Sequence, residues 1–166
     1  LEIVKRYKNG GAEKVYINGK VVNVFTSEIE EVTIAVEEGR IIGLGDYEGE
    51  EVIDLKGKYA VPGLIDSHVH IESSMTTPKA LAEVLMTHGV TTIIADPHEI
   101  ANVKGIEGIR FMIEESKDQP VSMYFMLPSC VPSGPFETAG AILSADKLQE
   151  LIDDEKVLGL GEMMNF

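Results

Sequence analysis

The sequence predicts an α/β protein, namely the N-terminal half of a (β/α)8 barrel of the TIM type preceded by a small β-sandwich-like domain. Residues 1–60 contain short Val- and Ile-rich runs broken by turns, whereas residues 61–166 alternate between apolar strands and amphipathic helices. A complete barrel needs about 250 residues, so the second segment has room for about four of its strand–helix units. We therefore expect the chain to be a truncated part of a longer protein.

The first segment, residues 1–60, has the pattern of strands with one buried face. Apolar residues alternate in "VTIAV", and three X-Gly pairs of the kind found in β-hairpins separate the runs. We predict several short strands that form part of a composite β-sandwich, and no catalytic residues. The three pairs are Asn18-Gly19, Glu38-Gly39 and Lys56-Gly57.

The second segment, residues 61–166, reads as the first four βα units of a barrel. The clearest helix has Thr77 as its N-cap, Pro78 in its first turn and Gly89 at its end. This alternation of strands and helices predicts a parallel sheet covered by helices. The elements are the strand "GLIDSHVH", the helix after Thr77, the strand "VTTIIADPHE", a helix from about 103 to 117, the strand "VSMYFMLPS", a helix after Ser144 and the strand "VLGLGEMMNF".

The composition of the chain indicates which kinds of molecule it can bind and where in the cell it is expected. The chain has 28 acidic and 14 basic residues, a net charge of −14, which disfavours nucleic acid and anionic membranes and favours a neutral small molecule. Cys130 is the single cysteine, so no internal disulfide can form. A chain with a single cysteine is typical of the reducing cytoplasm, where we expect this protein, and no apolar stretch has the length of a membrane span.

Polar side chains follow each of the four predicted parallel strands. The carboxyl ends of parallel strands meet at one edge of the sheet, where active sites of such folds lie. We therefore expect these side chains to share one site. They are Asp66, His68, His70 and Glu72 after the first strand, Asp96, His98 and Glu99 after the second, Ser129 and Cys130 after the third, and Glu162 after the fourth.

His68 and His70 are candidate ligands of a divalent metal. Side chains two residues apart on a strand point to the same side, about 6.6 Å apart, so two imidazoles can bind one ion. Glu162 is the second candidate, as a carboxylate that could bridge two cations. The alternatives are a polar strand end for the histidines and a solvated acid for Glu162.

The remaining polar residues are candidates for substrate contacts. His98 could donate a hydrogen bond or shuttle a proton, or it could cap the helix that begins in "PHEIAN"; both interpretations stay open. Glu72 and Ser129 are placed to contact a substrate. Cys130 is expected to line the pocket, because no His-Asp arrangement near it indicates a nucleophile. Asp96 and Glu99 are interpreted as supporting groups.

Several longer stretches carry a resemblance to a known family. "VPGLIDSHVH", preceded by "NGKVVNV" and "EEGRIIGLGD", resembles the general signature of the amidohydrolase superfamily. "HIESSM", "ADPHEIANVKGIEGIRFM", "LPSCVP", "PFETAGAIL" and "GLGEMMNF" narrow the resemblance to the adenine deaminases of the bacterial and archaeal type. These stretches extend over nearly the whole chain.

The resemblance implies a β domain completed by residues far downstream and a barrel with a binuclear site for Mn²⁺ or Fe²⁺, with Zn²⁺ as an alternative. It implies His68 and His70 as ligands of one metal and Glu162 as the bridging carboxylate. The implied reaction is hydrolysis of adenine to hypoxanthine and ammonia by a metal-activated hydroxide, in purine salvage, with His98 and Glu72 as catalytic candidates. Further ligands and a catalytic acid are implied beyond Phe166, so we expect this chain alone to be inactive.

Two other functions are considered. One is a cyclic-amide hydrolase of the same superfamily, similar to dihydroorotase or hydantoinase; "PHEIAN", "GEMMNF" and the absence of a fourth-strand lysine favour the deaminase instead. The other is a non-catalytic fragment with a metal-binding or structural role. Because a half-barrel leaves strand edges unpaired, we also expect a homo-oligomer.

Overall fold

The computed structural model describes residues 11–164, which fold as two compact units, one up to Pro62 and one from Gly63 onward. The first contains β1 (Gly11–Ile17), β2 (Lys20–Asn23), β3 (Glu28–Glu30), β4 (Thr33–Glu37), β5 (Arg40–Gly45), β6 (Glu48–Asp54) and β7 (Tyr59–Ala60). The second contains β8 (Leu64–Val69), a 3-10 turn (Glu72–Ser74), α1 (Pro78–Thr87), β9 (Val90–Ala95), α2 (His98–Lys104), α3 (Ile106–Glu115), β10 (Ser122–Leu127), α4 (Ala145–Leu148) and β11 (Val157–Leu160).

The first unit consists of two small sheets, with strand orders β5-β4-β1-β6 and β3-β2-β7. A buried cluster of Ala12, Val15 and Ala35 lies on the larger sheet. The predicted strands are therefore confirmed. A β-sandwich built from them stays a prediction.

Only one of the three predicted hairpins forms. Glu38-Gly39 joins β4 to its antiparallel neighbour β5, and both residues have positive φ, 47° and 72°. The prediction of hairpins at Asn18-Gly19 and Lys56-Gly57 was wrong, because each of these turns connects a strand of one sheet to a strand of the other. The two turns run side by side, and the amide of Gly57 donates to the carbonyl of Asn18 at 2.7 Å. This hydrogen bond joins the two turns to each other, and the amide of Lys58 closes the second turn by donating to the carbonyl of Leu55 at 3.0 Å.

The second unit contains a sheet of four parallel strands in the order β8-β9-β10-β11. Each strand lies beside the next one along the chain, with α1 packed on β9 and α3 on β10. This confirms the predicted parallel sheet with helices, and the arrangement fits part of a TIM-type barrel. All four carboxyl ends therefore open at the same edge.

The core of the second unit lies between this sheet and its helices. Phe125, Ile93, Met123 and Ile109 are fully buried there. Continuous apolar runs such as those of β9 and β10 are typical of parallel strands covered by helices. No helix in the described part of the chain has the length and apolar character needed to cross a membrane.

The helices differ from prediction at one boundary that affects the site. α1 begins as predicted, with Thr77 Oγ1 accepting from the Ala80 amide. The helix predicted from about 103 to 117 is instead two helices, because Gly105 adopts φ 62° and ψ −141° between them. The first of these, α2, already begins at His98. The strand end after β9 therefore passes directly into a helix.

Candidate metal centre

His68, His70 and Glu162 meet at the carboxyl edge of the parallel sheet. His68 is in β8, His70 follows it, and Glu162 lies two residues beyond β11. Glu162 Oε1 is 2.8 Å from His68 Nε2 and 3.6 Å from His70 Nε2. The two Nε2 atoms are 3.2 Å apart. The two outer strands of the four-stranded sheet thus bring the three predicted ligands together.

The chemistry of these three atoms fits a divalent cation. A carboxylate oxygen can only accept hydrogen bonds, and His70 Nε2 is also an acceptor because its Nδ1 faces the carboxylate of Glu99. Metal–ligand bonds of about 2.1 Å at angles of about 90° to 109° place ligand atoms about 3.0 to 3.4 Å apart. The observed separations lie around that range. One cation could accept a lone pair from each of the three atoms, whereas one shared proton can join only two of them.

Glu99 orients His70 toward the candidate site. Its Oε2 accepts from His70 Nδ1 at 3.2 Å, and its Oε1 accepts from Ser73 Oγ at 2.6 Å. Burial would raise the pKa of Glu99, but the hydrogen bonds that it accepts, above all the one from Ser73, lower it below its ordinary value. A carboxylate behind a ligating histidine fixes the ring and its tautomer, which leaves Nε2 free for the metal.

Replacing Glu99 by alanine is expected to weaken Mn²⁺ binding by about 10- to 100-fold, because His70 loses the group that fixes its tautomer. Competition with a fluorescent chelator would measure this affinity. Ser73→Ala is the matched control, since it removes one hydrogen bond to Glu99 and leaves the contact with His70 in place. Equal affinities for wild type and Glu99→Ala would contradict the orienting role.

His98 and Asp96 form a buried pair beside the three candidate ligands. Asp96 is fully buried, and its Oδ1 accepts from His98 Nδ1 at 2.6 Å. Burial would lower the pKa of His98, but the hydrogen bond and negative charge of Asp96 outweigh it, so this pKa is raised above its ordinary value. His98 Nε2 is buried and has no hydrogen-bond partner among the described residues. Asp96, His98 and Glu162 also offer ligand atoms within 4.8 Å of one another.

Glu72 is the first residue of the 3-10 turn, and its side chain reaches the start of α2. Its Oε1 accepts from the Ile100 amide at 3.1 Å, which satisfies one of the unpaired N–H groups at the helix N-terminus. Its Oε2 is buried without a hydrogen-bond partner in the described range 11–164. Burial raises the pKa of the Glu72 carboxyl above its ordinary value, against the hydrogen bonds it accepts. Its catalytic role stays a prediction.

Ser129 follows the third parallel strand, β10, and contacts Glu162 of the same site, with Cys130 as its neighbour. Ser129 Oγ donates to the carbonyl of Glu162 at 2.6 Å and lies 3.5 Å from Cys130 Sγ. Cys130 is buried. The hydrogen bond from Ser129 to the Glu162 carbonyl was not predicted from the sequence. Every residue has a main-chain carbonyl, so no residue type marks the acceptor of such a bond.

Comparisons with known proteins agree with this architecture. The family model described as the amidohydrolase family matches residues 59–165. The adenine deaminase of Geobacillus kaustophilus is 56% identical over 165 residues, covering 99% of this chain and 29% of that protein. That of Clostridium acetobutylicum is 56% identical over 155 residues, covering 93% of this chain and 27% of that protein. The chain thus spans less than a third of the length of these relatives.

Solved structures show the same fold at low sequence identity. A D-hydantoinase from a Thermus species matches with a TM-score of 0.61 and 21% identity, covering 85% of this chain and 31% of that one. An atrazine chlorohydrolase from Arthrobacter aurescens, complexed with zinc, matches with a TM-score of 0.67 and 16% identity, covering 89% and 46%. Since the family model extends across the parallel sheet and every candidate metal ligand, the chain belongs to the amidohydrolase family.

Proposed function

We propose that the gene product containing this chain hydrolyses adenine to hypoxanthine and ammonia, as a step of purine salvage. The observation that carries this proposal is the 56% identity to a curated adenine deaminase over 99% of the chain. An alignment of 165 residues extends over the four parallel strands, after which the candidate site residues lie. A net charge of −14 also suits a neutral purine better than a nucleic acid or an anionic membrane.

The proposed cofactor is a pair of divalent ions, Mn²⁺ or Fe²⁺, with Zn²⁺ as an alternative. His68 and His70 would hold one ion, and Glu162 would bridge both. When bound, such ions lower the pKa of water so that a hydroxide nucleophile exists near neutral pH. Three protein ligands cannot fill two coordination shells, so a pair of ions needs ligands in addition to His68, His70 and Glu162.

The chain's own residues would orient the purine and move protons. His98 Nε2 is buried and unpartnered, and Asp96 fixes its ring from behind. This nitrogen can accept a proton or, when protonated, donate one to a ring nitrogen or to the leaving amine. We also propose that Glu72 contacts the substrate and that Ser129 and Cys130 line its pocket.

We further infer that this chain on its own forms a homo-oligomer, that the gene product is cytoplasmic, and that the two small sheets of the first unit form part of a composite β-sandwich. The oligomer is supported by the outer strands of the parallel sheet, β8 and β11, which have one partner each among the described residues. Their side chains Leu64, Ile65, Leu158 and Leu160 are more than half exposed. Unpaired apolar edges of this kind favour association.

The deciding experiment is a substrate comparison with the complete gene product loaded with Mn²⁺. Adenine consumption should match the hypoxanthine and ammonia formed, as measured by chromatography and an ammonia assay. Dihydroorotate and hydantoin should not be hydrolysed. Turnover of these cyclic amides without turnover of adenine would overturn the proposal in favour of a cyclic-amide hydrolase. Stoichiometric metal binding without any turnover would favour a metal-binding role.

A further inference from the structure

Asp96 contacts two functional groups at once. Its Oδ1 accepts from His98 Nδ1 at 2.6 Å, and its Oδ2 accepts from the backbone amide of Glu162 at 2.8 Å. The residue is fully buried, at the junction between β9 and α2. Both oxygens of one buried carboxylate are therefore used, one on the candidate proton carrier and one on the candidate bridging ligand.

We propose that Asp96 is the positioning residue of this centre, which holds the backbone of Glu162 and the ring of His98 in one fixed relation. The proposal rests on the metal centre proposed above. It assigns Asp96 a role in metal affinity that extends beyond orienting His98. Asp96 would act through these two residues and touch neither the metal nor the substrate.

The need for such a group follows from where Glu162 lies. β11 ends at Leu160, so the regular strand does not itself fix the conformation of Glu162. Asp96 binds its N–H, and Ser129 binds its carbonyl. Both main-chain polar groups of the bridging residue are thus held by side chains from the two preceding strand ends. From this fixed backbone the side chain of Glu162 places its Oε1 2.8 Å from His68 Nε2 and 3.6 Å from His70 Nε2.

Gly161 provides a second, independent sign that this contact is built into the fold. A Cβ on Gly161 would overlap Asp96 Oδ2 and crowd its Cγ at 2.8 Å. Asp96 is fully buried and both its oxygens accept hydrogen bonds, so moving its carboxylate away would break them. Only glycine therefore allows the carboxylate to reach the amide of the next residue. Asp96 and Gly161 should behave as one unit when they are altered.

A mutant cycle on Mn²⁺ affinity tests the proposal in the complete gene product. Asp96→Ala and Gly161→Ala are each expected to raise the dissociation constant by about 10- to 100-fold, the usual effect of losing a group that supports a ligand. In the double variant the added methyl group has room, so Gly161→Ala should cost almost nothing further. Such strong non-additivity is the signature of a direct contact. Losses that simply multiply would overturn the proposal.

Two further variants keep the test decisive if Asp96→Ala does not fold. Asp96→Asn retains one acceptor oxygen for two donors, so it should also lower Mn²⁺ affinity by about 10-fold or more. Ser116→Ala is the control for a merely structural loss, since it removes a buried hydrogen bond to Ile113 at the far end of α3. Its affinity should equal that of wild type even if its melting temperature falls.

The readout is independent of adenine. Wild-type Mn²⁺ affinity in both Asp96→Asn and Gly161→Ala would overturn the proposal, whatever the activity of the enzyme. A protein that shows the expected coupling without deaminating adenine would keep this inference and contradict the proposed function alone.

Discussion

Replacing His68 and His70 together by alanine is expected to remove Mn²⁺ from the strand-end site and to lower kcat/KM for adenine by about 10³-fold or more. Nε2 atoms of both rings converge on Glu162 Oε1, so the double variant leaves one of three candidate ligands. A bound divalent ion contributes several kcal/mol to the stabilisation of the transition state, and each 1.36 kcal/mol is about tenfold in rate. Metal analysis and steady-state kinetics on the complete gene product would measure both effects.

The matched control for this double variant is His88→Ala. His88 follows α1 and is exposed, and none of its hydrogen bonds involves a site residue in the described structure. Its removal should leave metal content and kcat/KM unchanged. Full metal occupancy in the His68→Ala/His70→Ala variant would contradict the assignment of the metal centre.

Replacing His98 by asparagine is expected to lower kcat by about 10²- to 10⁴-fold, the usual contribution of general acid–base catalysis. The asparagine amide can still donate to Asp96 from a position close to that of Nδ1, whereas nothing replaces Nε2. The buried pair is thereby preserved and only the nitrogen proposed to face the substrate is lost. Single-turnover kinetics, with metal content measured on the same samples, would test this.

His98→Ala is the comparison for His98→Asn. It removes both nitrogens and leaves Asp96 with an unsatisfied oxygen, so it should in addition lower the free energy of unfolding by about 1 to 3 kcal/mol. His98→Asn should retain wild-type stability and metal content. Loss of one ion per chain in His98→Asn would show that this histidine binds metal with Glu162 instead of transferring a proton.

Much of the second unit could be predicted because its signals are local. The apolar strands, the cap at Thr77 and the stop at Gly89 follow from the preferences of neighbouring residues. The shared edge for His68, His70 and Glu162 followed from topology, since the carboxyl ends of parallel strands always meet there. The sequence left the start of this helix open between "PHEIAN" and about residue 103, because the carboxylate that binds its first turn comes from Glu72, which is distant along the chain.

The first unit shows where local signals fail. Asn18-Gly19 and Lys56-Gly57 have the composition of hairpin turns, and the chain does turn at both. Which strand lies next to which is decided by pairing between distant segments, here β1 with β6 and β2 with β7. A dipeptide carries information about its own backbone angles and none about the partner across the sheet.

The sequence by itself therefore determined the types of element, their order in the parallel sheet and the ligand chemistry gathered at its carboxyl edge. These depend on periodicity, caps and the donor atoms of individual side chains. The tertiary structure alone decided which supporting groups face which ligands, such as Glu99 behind His70 and Asp96 between His98 and the amide of Glu162. Those contacts depend on strand register and on the close approach that Gly161 allows, because a hydrogen bond requires its two atoms to lie within about 3 Å.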